Sequence, residues 1–413
     1  MKLLTVDTID QAREKLIVRA KALPLKTETV PLESACGRAL AEDLYALCDI
    51  PGFRRSTVDG YAVVAADTAG AGEAIPVFLK QAGTVYMGKP AGFSIHPGEC
   101  CYVPTGGMLP GGADAVVMVE YAETSGGSVA VYDAVAPGMG TVEAGEDLRK
   151  GELLLGRGTV MRPQEAGALA ASGITCVPVF APLNLSLIST GDELVSPEQD
   201  PALGEIRDIN TCAIRALALK RGYHVLSAKV LPDDDAQLEA AIREVMALSD
   251  VVAISGGSSQ GEKDITAAII DRVAKPGVFT HGLAVKPGKP TILGWDEESK
   301  TLFAGLPGHP VSAMMVFELL LGWLPGAVIS EQIGDRGRLF PVPAQISCNV
   351  PGSPGRTVLL PVILSLEEGS YSAEPVFGKS GMITTLTRAD GYIIIDLNKE
   401  GLNKGEPVLV YLF

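Results

Sequence analysis

Basic side chains are in short supply: 34 Lys and Arg stand against 49 Asp and Glu in 413 residues, a formal net charge of -15. A surface of that sign repels polyanions, which excludes non-specific nucleic-acid binding and leaves any anionic ligand to be held by local geometry. The seven cysteines (Cys36, Cys48, Cys100, Cys101, Cys176, Cys212, Cys348) are odd in number and show no C-x-x-C spacing. That excludes a disulfide scaffold or structural zinc and points to free thiols in a reducing cytosol. Histidine is scarcer still. His96, His224, His281 and His309 are the only four, none is paired at metal-ligand spacing, and no Ser–His or Cys–His nucleophile pair is suggested. No apolar run is expected to reach the roughly 20 residues of a membrane helix, and no signal peptide precedes Met1–Leu4. A cytoplasmic chain with no membrane or nucleic-acid partner is therefore expected. Internal repeats and low-complexity tracts are missing as well.

What is present is enough sequence for several domains. Thr8 to Leu23 sets Ile9, Ala12, Leu16, Ala20 and Leu23 on one helical face behind a Thr8/Gln11 capping-box pattern. Pro31 to Leu44 has a mixed, moderately helical pattern. From Ile75 to Glu143 the pattern changes to short β runs broken by Gly and Pro, at Ile75–Leu79, Cys100–Pro104, Ala115–Tyr121 and Ser128–Val135. Helical character returns at Arg162 to Ser172, with Pro163 suited to a first turn. From Leu183 strands and helices alternate: strand Leu183–Ser189, helix Cys212–Arg221, strand His224–Val230, a helix face of Leu238, Ile242, Val245 and Leu248, strand Val251–Ser255, and later a helix from Ser312 to Leu321. This rhythm predicts a parallel sheet with right-handed crossovers, whose ligands bind beyond the carboxyl ends of its strands. The tail carries β runs at Val358–Leu366, Tyr392–Asp396 and Pro407–Phe413, a small barrel or sandwich.

The fold class expected is thus multidomain: a central α/β domain with a parallel sheet over residues 179–326, a β-rich insert over 49–147, a helix-rich discontinuous domain made of 1–48 plus 148–178, and a C-terminal β-barrel over 327–413.

The chemistry concentrates between Val251 and Ser312. After the apolar run come Gly256, Gly257, Ser258, Ser259, Gln260, Gly261, Glu262, Lys263 and Asp264. Glycines with small hydroxyl side chains let several backbone N–H groups converge on one anion. The loop is not a Walker A element, because Glu262–Lys263 stands where Lys then Ser or Thr is required, and it lacks the G-x-G-x-x-G spacing of a dinucleotide fold. What remains is an N–H nest followed by an acid, suited to phosphate with a hard cation such as Mg2+. Lys286-Pro287-Gly288-Lys289-Pro290 presents two ammonium groups from a stiff turn. Thr190 to Glu193, Asp233 with Asp234, and the Gly256 loop all fall at the same sheet edge, which favours a shared site. Taken singly, each also suits a solvated turn, as do Asp59-Gly60, Thr105-Gly106 and Gly145-Glu146-Asp147.

Taken together, Ser56–Ala62, Pro104-Thr105-Gly106 with Ala113–Val117, Gly145-Glu146-Asp147, Ser189–Leu194, Lys286–Pro290 and Gly305–Gly308 resemble one family across nearly the whole chain: molybdopterin molybdenumtransferase, the MoeA and gephyrin E-domain group. The resemblance implies insertion of molybdate into adenylylated molybdopterin with Mg2+ or a similar cation, and release of AMP and molybdenum cofactor. It implies an elongated homodimer, with a molybdopterin adenylyltransferase and molybdoenzyme apoproteins as further partners. On matching positions, Glu193, Asp233, Asp264, Lys286 and Lys289 would form the pterin-phosphate and metal side, with Glu193 and Asp264 as the metal ligands. Thr190, Gly191, Asp192, Ser255, Gly256, Gly257, Ser258, Gly261, Pro290, Pro307 and Gly308 would line it. Asp59, Thr105 and Asp147 would approach from the partner subunit, and Ser380 would meet molybdate.

The chain also departs from the family pattern. Val142-Glu143-Ala144 stands where an arginine-rich stretch is usual, Pro361 where an arginine follows Gly355-Arg356, and His309 and Asp390 where asparagines are usual. Fewer arginines weaken capture of a dianion. This motivates one rival reading, a diverged paralogue that binds molybdopterin with an altered oxyanion preference such as tungstate, and the gephyrin resemblance allows another, a non-catalytic dimeric scaffold.

Overall fold

The computed structural model, which describes residues 6–256, 263–333, 341–367, 369–379 and 381–413, opens with helix α1 (Ile9–Ala20). Its capping box is formed: Gln11 N–H donates to Thr8 Oγ1 at 3.2 Å and Thr8 N–H to Gln11 Oε1 at 2.9 Å. Ile9, Ala12, Leu16 and Ala20 recur at helical spacing and are buried in one core with Leu183, Leu185 and Val328. α1 therefore belongs to a body made of Met1–Glu28 and Phe180–Phe413, not with 148–178. The apolar stripe found its cover far along the chain.

The second body, Thr29–Val179, begins with no helix. The helical pattern expected over Pro31 to Leu44 is replaced by strand Thr27–Pro31, a single 3-10 turn at Leu32–Ser34 and a short strand Leu44–Tyr45. Gly37, at φ +79°, sits in the left-handed region that a helix cannot use. Within this body Ala35, Leu40, Met161, Val177, Val179 and Leu169 of helix α2 (Pro163–Ala171) share one small core. The segment between them forms a six-stranded sheet in the order Ala115–Met118, Gly60–Val63, Glu99–Val103, Val77–Thr84, Ser128–Val131, Ala122–Ser125. Alternate residues serve two cores, Tyr61, Val63 and Val117 in one and Ala62 and Val116 in the other, so the sheet is buried on both faces.

From Asn184 the strand–helix alternation is realised. Helices α3 (Asn210–Lys220), α4 (Asp235–Met246) and α5 (Lys263–Val273) separate strands Asn184–Thr190, His224–Leu231 and Val251–Gly256. The sheet order is His224–Leu231, Asn184–Thr190, Val251–Gly256, Thr301–Leu306, Ile292–Asp296, Pro276–His281. The first four strands are parallel; the last two, unforeseen in the sequence, join through antiparallel pairings, Ile292–Asp296 running against the rest and Pro276–His281 with them. Val251 and Ala253 point to the core shared with α1, while Val252 and Ile254 point to the core with α4. Helices therefore cover both faces, as a parallel sheet requires. α4 ends at Met246, so Leu248 lies past its cap and is 68% exposed rather than on the buried face.

Pro310–Ile329 is 20 residues long and apolar enough to span a membrane by length and composition, contrary to the expectation that no run reaches that length. The structure breaks it into helices α6 (Pro310–Leu320) and α7 (Leu324–Ile333) and buries nine α6 residues, of which the apolar ones, Val311, Val316 and Phe317 among them, join the core. α7 also runs across the boundary expected between 326 and 327. The tail closes a five-stranded barrel. Thr357–Glu367, Ser370–Pro375, Val342–Ile346, Pro407–Leu412 and Gly391–Ile395 pair in turn, and the last returns to the first. A one-turn helix, α8 (Thr384–Thr387), leads into its last quarter. α3 is tied to α6 by the Arg221–Glu318 ion pair and to the end of the tail by Lys220 donating to the Phe413 carbonyl, while Tyr392 stacks on Tyr411 within the barrel.

Candidate functional site

The parallel strands deliver their carboxyl ends to one edge. Register sets Thr190 beside both Leu231 and Gly256, and Ser255 beside Leu306. Strand Asn184–Thr190 leads leftward to His224–Leu231, and Val251–Gly256 continues rightward, so the topological switch point lies between Thr190 and Gly256. The chain there is as close as backbone allows: a Cβ on Gly256, at φ +135°, would collide with the Thr190 carbonyl. Asp192 Oδ1 accepts the Asp233 N–H at 3.0 Å, tying the first two loops together. Glu193 folds back until its Oε2 would lie 2.6 Å from a Cβ on Gly191. A hollow of about 70 Å³ at this edge is lined by Thr190, Asp233, Asp234, Asp235, Leu238, Ile265 and Thr266. Asp234 is already engaged, capping α4 through the Gln237 N–H at 2.8 Å.

The lysine turn occupies a different wall. Val285–Lys286 pairs with the barrel strand Thr357–Glu367, in parallel, with Lys286 opposite Val358. Because strand side chains alternate, Arg356 shares the Lys286 face as its diagonal neighbour. Gly288, at φ +117°, brings the turn against α6 so closely that a Cβ would strike Val316.

Beyond the turn lies a cavity of about 940 Å³ between the α/β sheet and the barrel mouth. Lys286, Lys289, Arg356 and Lys379 line it, as do His309, Pro290, Pro307, Gly308 and Pro361, and among the described residues no Asp or Glu does. None of the four Lys and Arg head groups makes an ion pair or hydrogen bond among the described residues. Val311 and Ser312, in the first turn of α6, also face it, where helix N–H groups lack intrahelical acceptors. In a chain of net charge -15 this concentration of positive charge, unmatched among the described residues, has the chemistry that suits a multiply charged anion.

The second body has its own polar corner. Antiparallel register puts Gly60 opposite Val103, so Asp59 and Thr105 emerge at the same end. Asp59 Oδ1 accepts from Thr105 N–H at 2.6 Å and from Thr105 Oγ1 at 3.0 Å. Gly60 is obligatory, since a Cβ would run into the Val117 carbonyl. Asp147 lies on the neighbouring loop, its N–H donating to the Ile50 carbonyl at 3.0 Å. Glu143, in the stretch where arginines were expected, sits 2.7 Å from Arg54 Nε, which offsets one more positive charge.

Of the expected residues, the structure brings together Lys286, Lys289, Pro290, Pro307 and Gly308 in one cavity, Thr190 with Asp233 in the smaller hollow, Gly191, Asp192, Glu193, Ser255 and Gly256 along the same edge, and Asp59 with Thr105. Of the acids whose side chains are described, Glu193 and Asp233 do not line the lysine cavity. Gly257, Ser258, Gly261 and Ser380 lie outside the described residues, as does the side chain of Asp264, whose backbone begins α5. Asn210 escaped the sequence reading. Its Nδ2 donates to Ser255 Oγ and to the Gly308 carbonyl, both at 2.7 Å, which pins two edge loops together and fixes the amide orientation. Its Oδ1 is buried without a partner. Only the Asp-Ile-Asn run at the head of a helix could have hinted at it. Arg356, Lys379 and His309 were read as tail or turn residues, and only barrel docking reveals their common wall.

Magnesium, expected from the resemblance, finds no group of three His, Cys, Asp or Glu placed as ligands among the described residues. Exposed carboxylates such as Glu193 and Asp233 suit a hard cation only as part of a shell completed by phosphate and water.

Comparison with known proteins agrees along the whole chain. Residues 8–173 match the family model described as "MoeA N-terminal region (domain I and II)", residues 186–326 the "Probable molybdopterin binding domain", and residues 343–413 the "MoeA C-terminal region (domain IV)". The chain is 30% identical to the molybdopterin molybdenumtransferase of Haemophilus influenzae over 409 residues, 98% of each protein. It is 30% identical to that of Bacillus subtilis over 401 residues, 94% of this chain and 90% of the relative. The solved molybdopterin biosynthesis MoeA protein of Pyrococcus horikoshii OT3 matches with a TM-score of 0.82 at 30% identity, covering 99% of this chain and 100% of that one. With the three regions in order, the cationic cavity between the second and third, and full-length relatives of one name, the chain belongs to the molybdopterin molybdenumtransferase (MoeA) family.

Proposed function

We propose that the protein is the enzyme that inserts molybdate into adenylylated molybdopterin, releasing AMP, in molybdenum cofactor biosynthesis. The observation that carries this reading is the cavity of about 940 Å³ with four Lys and Arg head groups that, among the described residues, have no ion-pair partner and share the wall with no carboxylate. Adenylylated molybdopterin carries a phosphoanhydride and molybdate is a dianion, so the reactants bring several negative charges to one place. Breaking the phosphoanhydride adds charge to the departing AMP phosphate, and preorganised ammonium groups stabilise that charge without reorganising. Lys286 and Lys289 serve the phosphate, while Arg356 faces the same space from the barrel. Glu193, Asp233 and Asp264 are assigned to the acidic side of the site, with Mg2+ as the cation they would share with substrate, and Ser255, Gly256 and Thr190 to the pterin end at the switch point.

The same reading makes the protein a cytoplasmic homodimer of four-domain subunits, with Asp59, Thr105 and Asp147 of one protomer serving its partner. Light scattering of the purified chain checks this, and a monomer at working concentration would remove it. The activity itself is tested by mixing the full chain with adenylylated molybdopterin, molybdate and Mg2+ and measuring AMP. Molybdate-dependent AMP release is expected; release no faster than without protein would reject the assignment.

A further inference from the structure

We propose that Thr291 is a positioning residue of this site: its hydroxyl, buried behind the cavity, sets where the turn from Lys286 to Lys289 presents its two ammonium groups. The proposal rests on the function assigned above and names what aims the side chains that serve the phosphate. Thr291 is fully buried and does not line the cavity, so it acts through the turn and not on a ligand. Its Oγ1 donates to the Gly288 carbonyl at 2.7 Å, the only hydrogen bond that carbonyl receives among the described residues. Its N–H donates to the Lys289 carbonyl at 3.0 Å, closing a γ-turn centred on Pro290, whose ring holds φ near the value such a turn needs. Its carbonyl accepts the Gly282 N–H at 2.7 Å, and the Leu283 N–H meets the Lys289 carbonyl at 2.9 Å. One residue thus ties both the turn and its foot.

The two lysines are held in different ways. Lys286 lies in a strand paired with the barrel, and Ala284 behind it accepts the Thr357 N–H at 2.9 Å and donates to the Asp7 carbonyl at 2.8 Å. Lys289 lies outside any strand. Pro287 and Pro290 have no N–H to give, so the limb that carries Lys289 is held by the Leu283 bond and by those that Thr291 makes. Gly288 is buried between the two exposed lysines, and its φ of +117° presses it on α6, where a Cβ would meet Val316. Without the Thr291 hydroxyl the Gly288 carbonyl is left buried and unpaired, a cost the turn relieves by rotating that peptide toward water. Such a rotation moves Lys289 relative to Lys286, and ammonium groups stabilise a developing charge only where they already face it.

The test uses the full-length protein with two separate readouts, binding of inorganic pyrophosphate by calorimetry and AMP release from adenylylated molybdopterin. Thr291→Val keeps the volume and removes the hydroxyl; it is expected to weaken pyrophosphate binding and to lower kcat, each by about 10-fold, with KM for molybdate unchanged. Thr291→Ser returns the hydroxyl and should bring both to within about twofold of the unaltered protein. Thr301→Val controls for lost stability. Thr301 is also fully buried, its Oγ1 donates to the Met246 carbonyl at 2.8 Å, and it starts strand Thr301–Leu306 at the end away from the cavity. That variant should lower the thermal midpoint and leave kcat and pyrophosphate affinity as they were. Unchanged pyrophosphate affinity or unchanged kcat in Thr291→Val overturns the proposal, as does an equal loss in Thr301→Val, a serine variant no better than valine, or an unaltered protein that does not bind pyrophosphate. If the hydroxyl governs pyrophosphate affinity while the unaltered protein releases no AMP, the positioning role stands and the transferase assignment falls.

Discussion

The cavity at the barrel mouth and the corner formed by Asp59 and Thr105 are both built from glycine-flanked turns at strand ends, yet they are opposites in charge economy. Asp59 is answered within its own body, by two hydrogen bonds at 2.6 and 3.0 Å. Lys286, Lys289, Arg356 and Lys379 are answered by nothing among the described residues and line one cavity. A satisfied carboxylate stabilises its own loop, whereas a cluster of unsatisfied like charges is tolerated only where a ligand repays it. Unmatched charge, more than exposure, is what sets the cavity apart from the corner. The corner is organised for rigidity and the cavity for capture.

That contrast can be broken most directly at Lys286. Lys286→Ala should lower AMP release by about 100-fold, the usual loss for one preorganised donor, while leaving the thermal midpoint unchanged or slightly raised as repulsion is relieved. A normal rate would dissolve the contrast. Asn210→Ala comes next. Loss of the amide that holds Ser255 and Gly308 should destabilise the protein by about 1–2 kcal/mol and cut turnover by roughly 10-fold, because the edge loops and the cavity wall lose a shared brace. Denaturation and AMP assays together report it, and unchanged turnover would reduce Asn210 to a structural tie. Asp59→Ala should do the reverse of Lys286→Ala within its own body. Removing the acceptor leaves the Thr105 N–H and hydroxyl to water, so faster amide exchange around Thr105 is expected, with a local cost of about 1 kcal/mol.

The smallest effect lies at the start of α2, where Glu165 accepts from the Arg162 guanidinium and N–H. The Arg162 hydrogen bonds hold its carboxyl at about 2, below the ordinary 4.5. Its contribution to stability is therefore present above about pH 4.5 and fades as pH falls toward about 2. Glu165→Gln should melt a few degrees lower than the unaltered protein at pH 7, a gap that closes on acidification. A gap that widens in acid would contradict the internal-pairing description of this body.

Much of this molecule was legible in its residues. The Thr8/Gln11 capping box, the period-2 runs of the insert and the strand–helix alternation after Leu183 state their structures locally, because each signal is a short-range property of side-chain spacing. Positions that fail are those where burial partner, not pattern, decides. Pro31 to Leu44 carries apolar residues at helix-like intervals, yet Gly37 and its proline fit turns. Pro310–Ile329 has the length and apolarity of a membrane span but folds as two core helices, since α1 and the sheet supply the apolar surroundings that a bilayer would otherwise provide.

The amino-acid sequence by itself determined the family, the sheet edge and the lysine turn, because glycines, prolines and lysines at fixed spacing constrain backbone and charge within a few residues. Tertiary structure alone decided which charges meet. Lys286 and Arg356 are 70 positions apart and become neighbours only when two residues of the turn join the barrel as an added strand; Lys379 reaches the same hollow by the path of the chain past Pro361. Coulombic interaction depends on distance through space, and distance through space is what a linear order of residues does not contain.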